Sequence, residues 1–177
     1  MGTIADFKAK LTGGGARPNQ FRVRLVFPSA IADGLQSADK GQFLCKAASL
    51  PATVIENIEM FYRGKQTNVS GEMTFEPWNV TIYNDTDFDI RDSFEQWMHY
   101  ITKYNATCGT TNPIDYQVDM EVDQLGRCDE VLKTYKFVDV YPTRVGEIEL
   151  SFDSKEIETF QVTLQYNYFE PSNVITK

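Results

Sequence analysis

Thr159-Phe160-Gln161-Val162-Thr163-Leu164-Gln165-Tyr166-Asn167-Tyr168 decides the fold. Apolar Phe160, Val162, Leu164, Tyr166 and Tyr168 alternate without a break against polar Thr159, Gln161, Thr163, Gln165 and Asn167. A period of two over ten residues specifies a strand with one face in a core and the other in water or against a neighbour. The polar row holds no charge, whereas an ordinary solvent face carries Lys or Glu. Such a row suits a crowded wet surface or a sheet that another subunit continues.

Working back toward the N-terminus, the same alternation returns repeatedly. Ile148, Leu150 and Phe152 oppose Glu147, Glu149 and Ser151, and a long run from Val131 to Tyr141 is closed by Pro142. Tyr116, Val118, Met120 and Val122 oppose Gln117, Asp119, Glu121 and Asp123. Trp78, Val80 and Ile82 oppose Asn79, Thr81 and Tyr83 after a break at Pro77, and Phe21, Val23, Leu25 and Phe27 form a strand stopped by Pro28. Residues 42–49 read as a short strand and residues 29–41 as a polar loop. The period changes to 3.6 only from Asp87 onward. There Ile90, Phe94, Trp97, Met98, Ile101 and Tyr104 share one stripe, predicting a single helix over about residues 90–104, with Asp87 and Asp89 as cap candidates. The fold class expected is mainly β: two packed antiparallel sheets, a β-sandwich or split barrel, with one helix covering an end or edge.

Residues 52–70 stand apart. Val54, Ile58, Met60 and Tyr62 fall on one face of an alternating run and Ile55 and Phe61 on the other, before Arg63-Gly64-Lys65 supplies a turn. A hairpin with apolar groups on both faces either packs inward or finds another chain. Residues 1–19, with Gly13-Gly14-Gly15 and Arg17-Pro18, read as a flexible arm; residues 20–170 form one β domain and residues 171–177 a tail.

The 177 residues hold 12 Phe, 9 Tyr and 2 Trp, a folded composition, and 17 Lys and Arg against 25 Asp and Glu leave a net charge of −8. That balance argues against a protein whose work is gripping a phosphate backbone. Asp6, Lys8 and Lys10 interrupt any apolar run near the start, and no stretch has the length of a membrane span, so a chain without integral membrane association is expected. Cys45, Cys108 and Cys128 read as unpaired thiols, and the Asn-x-Ser/Thr triplets at Asn68, Asn79, Asn84 and Asn105 as chance. His99 is the only histidine and has no ligand partners at metal spacing; Gly64-Lys65 lacks the Ser or Thr and the upstream Gly of a phosphate loop. The reading is of a protein that is not an enzyme and takes no cofactor or metal. The acidic rows Asp119, Glu121, Asp123 and Glu147, Glu149 serve either solubility or a surface held at negative potential, such as a channel wall past which a polyanion slides.

Several blocks, in order, resemble the tail tube protein family of T4-like contractile-tailed phages. They are Ala16-Arg17-Pro18-Asn19 with Phe21 and Val23; Cys45-Lys46-Ala47 running to Leu50-Pro51; Lys65 through Asn68-Val69 and Gly71 to Thr74-Phe75 and Trp78; Val80-Thr81 to Asn84-Asp85; and Pro142-Thr143, Val145-Gly146-Glu147, Asp153-Ser154, Ile157, Thr159-Phe160 and Val162-Thr163-Leu164, closing at Tyr168. The resemblance spans about residues 16–170. It departs in the 29–41 loop, which is longer than the family pattern, and in the tail.

The resemblance implies a virion protein that self-assembles into hexameric rings stacked as a hollow tube. Inner strands of six subunits would join into one barrel, DNA and a tape-measure protein would pass through the bore, and sheath and baseplate proteins would be partners. It implies assembly in the host cytoplasm before incorporation in the virion tail. The hairpin residues Val54, Ile58, Met60, Phe61 and Tyr62 then become the expected contact to the next ring. The acidic rows or the polar strand face become lumen or inter-subunit surfaces, and Ile90, Phe94, Trp97, Met98 and Ile101 the core face of the helix. Two other readings stay open at this point: the tube of a bacterial contractile injection or type VI-like secretion apparatus, and a monomeric β-barrel carrier.

Overall fold

The computed structural model describes residues 3–11, 15–104 and 109–172. Asn105, Cys108, Gly13-Gly14 and the tail from residue 173 onward lie outside the described residues. In chain order the elements are α1 (Ile4–Lys10), β1 (Phe21–Arg24), α2 (Gly34–Leu44), β2 (Cys45–Ala48), β3 (Thr53–Tyr62), β4 (Lys65–Phe75), β5 (Trp78–Tyr83), α3 (Asp89–Ile101), a 3-10 turn at Pro113–Asp115, β6 (Val118–Leu125), β7 (Val131–Val145), β8 (Thr159–Gln165) and β9 (Tyr168–Ser172).

The alternating runs become antiparallel strands in the order β1-β6-β7-β8-β5-β2, with β9 also on β7, while β3 and β4 make a separate two-stranded sheet. β7 belongs to both halves of the larger sheet. Its first part pairs with β6 and β9, and its last part, from Tyr141, pairs with β8. The direction changes at Asp139, whose φ of 59° lies in the left-handed region. Asn167 clamps this corner. Its backbone N–H donates to the Val138 carbonyl at 3.1 Å, and its side-chain amide donates to the Asp139 carboxylate at 2.8 Å.

The two halves face each other across the core. Trp78 on β5 stacks on Phe137 of β7 with ring centroids 4.3 Å apart, and Tyr166 meets Phe137 edge-on. Val23, Val80, Ile82, Met120, Val122, Phe160, Val162 and Leu164 complete the layer. α3 closes one side: Ile90, Phe94 and Trp97 are buried, with Phe27 against both rings, while Met98 and Ile101 are half-buried. Both buried indoles are satisfied, Trp78 donating to the Ser49 carbonyl and Trp97 to that of Tyr116.

The structure corrects several sequence expectations. There are three α-helices among the described residues, not one. The predicted 29–41 loop contains most of α2, whose inward side is Gly34, Ser37 and Gly41, while Leu35 and Phe43 point outward. A Cβ on Gly41 would lie 2.6 Å from Leu25 Cδ1, and one on Gly34 2.8 Å from Phe27 Cβ. Only bare backbone lets this helix lie flush on the core. The Ser37 and Ser93 hydroxyls, 2.8 Å apart, then join α2 to α3. The expected arm holds α1, which is capped by a reciprocal Thr3–Asp6 box and buries no residue.

Neither Asp87 nor Asp89 caps α3. Phe88 occupies the cap position with φ 59°, and Asp85, Asp87 and Asp89 instead surround the Lys40 ammonium arriving from α2. These carboxylates, Asp89 first, push the Lys40 pKa above the usual lysine range. α3 ends at Ile101, so Tyr104 lies beyond it and is exposed. Pro142 does not end β7; the strand continues to Val145 through an irregularity in its pairing with β8, where a missing N–H is tolerated. Residues 147–152 are not a strand, and Tyr168 begins β9 rather than prolonging β8.

Candidate assembly surfaces

The β3–β4 hairpin is a ladder with a two-residue loop, Arg63-Gly64, both at positive φ (49° and 80°). Paired positive φ values match the twist of a tight hairpin, and Gly64 supplies one at no steric cost. Register puts Ile58 opposite Val69, Met60 opposite Thr67 and Tyr62 opposite Lys65 on one face, and Phe61 opposite Gln66 on the other. A bulge in β4 shifts the pairing between Ile55 and Asn57, which sends Met73 to the face of Ile55 and Phe61. Gly71 sits in that bulge because a Cβ there would lie 2.9 Å from the Glu56 carbonyl oxygen. All ten residues of β3 are exposed, with Ile58 at 52%, Met60 at 54% and Phe61 at 71%. Phe75, at the base, reaches the core rings of Tyr166 and Phe169 and anchors the hairpin to the domain.

The polar row of β8 sits on the outer face of the sheet. Gln161 and Asn167 are exposed, and Thr159, Thr163 and Gln165 are partly covered. Thr163 pairs with Asn79 on β5 and donates to its side-chain oxygen at 2.9 Å, and Gln161 pairs with Thr81, so the uncharged surface runs laterally over two strands. β8 is bonded on both sides, by β7 and β5, so its own edges take no further strand. The ends of the strand path are β1 and β2, which do not pair with each other, and the path does not close into a barrel.

The acidic row on β6 differs from the solvated face expected. Asp123 is buried: it receives Arg24 Nη2 at 2.9 Å and the Thr134 hydroxyl at 2.6 Å. Arg24 Nη1 also donates to Glu121 at 2.8 Å, and Lys136 pairs with Asp119 at 2.8 Å. That carboxylate raises the Lys136 pKa. The row is therefore threaded with cations from β1 and β7. The alternation of β1, which put Arg22 and Arg24 outward, carried this signal, but only the register Arg24–Glu121 and Glu121–Lys136 joins it to β6.

Glu147 and Glu149 lie apart from that row, on a loop of residues 146–158. Gly146 starts the loop, its N–H donating to the Gln161 carbonyl at 2.7 Å while its own carbonyl accepts from Arg91. At the other end the Asn84 N–H donates to the Glu158 carbonyl at 2.9 Å. Between these anchors the loop stands off the polar face of β8 and leaves a groove of about 820 Å³, lined by Leu150, Phe152 and Ile157 as well as by glutamates. The three aspartates around Lys40 are the one carboxylate group among the described residues close enough to share an ion, and a lysine occupies their centre.

Free strand edges at β1, β2 and β9 and a hairpin apolar on both faces are surfaces of the kind that other chains cover. Comparison with known proteins names the kind. The sequence profile described as phage tail tube protein matches residues 16–172, and the chain belongs to that family. It is 34% identical over 161 residues to the tail tube protein gp19 of Enterobacteria phage T4, covering 90% of this chain and 93% of that one. It is 27% identical over 175 residues to the tail tube protein of Serratia phage KSP90, covering 96% of each. Among solved structures the fold matches a chain of the anti-feeding prophage baseplate with a TM-score of 0.66 over 91% of this chain and 97% of that one, at 11% identity. It also matches a chain of an extracellular contractile injection system sheath-tube complex with a TM-score of 0.57, over 98% and 100%, at 13% identity. The protein is thus a structural tail tube component of a virion. No helix among the described residues is long and apolar enough to cross a membrane.

Proposed function

We propose that the chain self-assembles into hexameric rings that stack as the inner tube of a contractile tail, a conduit for DNA into the host. In this reading the free ends β1 and β2 are where neighbouring subunits continue the sheet around the ring. The uncharged row of Gln161 and Thr163 beneath the 146–158 loop is an inter-subunit surface, and the net charge of −8 on each subunit keeps DNA from adhering to the bore. Val54, Ile58, Met60, Phe61 and Tyr62 contact the adjacent ring. Sheath, baseplate and tape-measure proteins are its partners, and subunits accumulate in the host cytoplasm before assembly.

The observation that carries this reading is the β3–β4 hairpin, uncovered on two apolar faces yet tied by Phe75 to a complete core. Negative-stain microscopy with light scattering, on concentrated protein at two salt levels, tests it. Six-fold rings or uniform hollow tubes are expected. A monomer at every concentration that binds an apolar ligand instead overturns the proposal in favour of a carrier.

A further inference from the structure

We propose that α1 of one subunit docks in the groove beneath the 146–158 loop of a neighbouring subunit. The inference rests on the tube reading and adds a specific strap to it. Seven residues make a helix far too short to persist alone, since nucleation is costly and isolated helices below about 12 residues are marginal. The Thr3–Asp6 box fixes its start but buries nothing. Ile4, Phe7 and Leu11, at i, i+3 and i+7, form one stripe and all are exposed. At about 100° per residue Lys8 and Lys10 flank that stripe on opposite sides, while Asp6 points away, committed to the cap.

The groove has the matching pattern. Leu150, Phe152 and Ile157 give an apolar lining left uncovered by their own chain, and Glu147, Glu149 and Glu156 place carboxylates beside it. An apolar stripe between two lysines meets an apolar slot lined by four glutamates, Glu147, Glu149, Glu156 and Glu158, against the single cation Arg144. The loop is anchored at Gly146 and Glu158, so the slot exists before anything enters it. Nine residues lie between Leu11 and Phe21, and Arg17–Gln20 are held in a turn by Gln124, which leaves residues 12–16 as the tether, a reach of roughly 20 Å if extended.

The test places the photo-crosslinker benzoylphenylalanine at position 7 and assembles a mixture of isotopically light and heavy subunits. Peptide mapping of the irradiated tubes is expected to join position 7 to residues 147–157 of a different chain. Removing residues 1–11 is expected to raise the concentration needed for assembly by about tenfold or more. The K8E/K10E variant should lose assembly severalfold and regain it when E147K/E149K is added, with circular dichroism reporting an intact fold throughout. Tubes in which position 7 links elsewhere, or only within its own chain, overturn the docking and leave the tube intact. So does a link to 147–157 from a crosslinker at position 61, which would give the groove to the hairpin, whose tip is also basic. A wild-type chain that never oligomerises under these conditions overturns this inference together with the tube reading.

Discussion

Replacing Ile58 and Met60 together by Asp tests the hairpin at a point where folding and assembly separate. Both side chains are about half exposed in the single subunit. Full burial of such a side chain contributes roughly 1.5–3 kcal/mol, so covering the remaining half in a tube supplies about 1 kcal/mol from each. Losing both removes about 2 kcal/mol per subunit, equivalent to roughly a 30-fold rise in the concentration at which tubes form. Two carboxylates carried into an apolar contact without partners add a desolvation penalty, so 30-fold is the lower bound. The isolated subunit should change little, because neither residue touches the core that Phe75 joins. The assay pairs light scattering against concentration with urea unfolding of the monomer. Tubes forming at the wild-type concentration refute the reasoning, as does an unfolding midpoint that falls in parallel with assembly, which would make the hairpin part of the subunit's own stability.

Other outcomes follow from single contacts. Gly41→Ala should cost about 1–3 kcal/mol in urea unfolding, because the new Cβ meets Leu25 at 2.6 Å. Tyr166→Phe should be neutral or stabilising by about 1 kcal/mol, since the Tyr166 hydroxyl is buried with no partner; a loss of stability would expose a hidden one. Lys40→Met leaves Asp85, Asp87 and Asp89 facing one another, so its thermal melting should fall at neutral pH and low salt and recover part of the loss as ionic strength is raised. In the wild type the raised Lys40 pKa fixes an alkaline limit: its contribution is complete below the unfolded value of about 10.4 and is lost only as pH rises through the folded value. Burial pushes the Cys45 thiol up to about 12 while Cys128 is exposed, so peptide mapping after brief alkylation near pH 8 should find Cys128 modified before Cys45.

The strands were legible because each places one face in the core, and β5 and β8 keep strict alternation between buried and outward residues. α3 was legible for the same reason at a period of 3.6. α2 was not, because its contact with the core is made by Gly34, Ser37 and Gly41, so the pattern that reveals a helix is inverted and its large apolar groups point outward. Residues 147–152 show the converse failure. They alternate as a strand should, but alternation states only that a strand is possible, and no partner strand is in register beside them. At the candidate surfaces the two-faced hairpin was readable from one segment. The fate of Asp123 was not, because its partners Arg24 and Thr134 come from β1 and β7 and meet it only through strand register.

The corner at Asp139 has a mechanical meaning. Where two sheets are joined only by loops, a pull on one reaches the other through side-chain packing and flexible chain. Here fifteen consecutive residues of β7 run from one sheet half into the other. A load applied to one half is therefore passed to the other along covalent bonds, with Asn167 bracing the bend against straightening. A subunit built this way transmits force as a stiff bracket does.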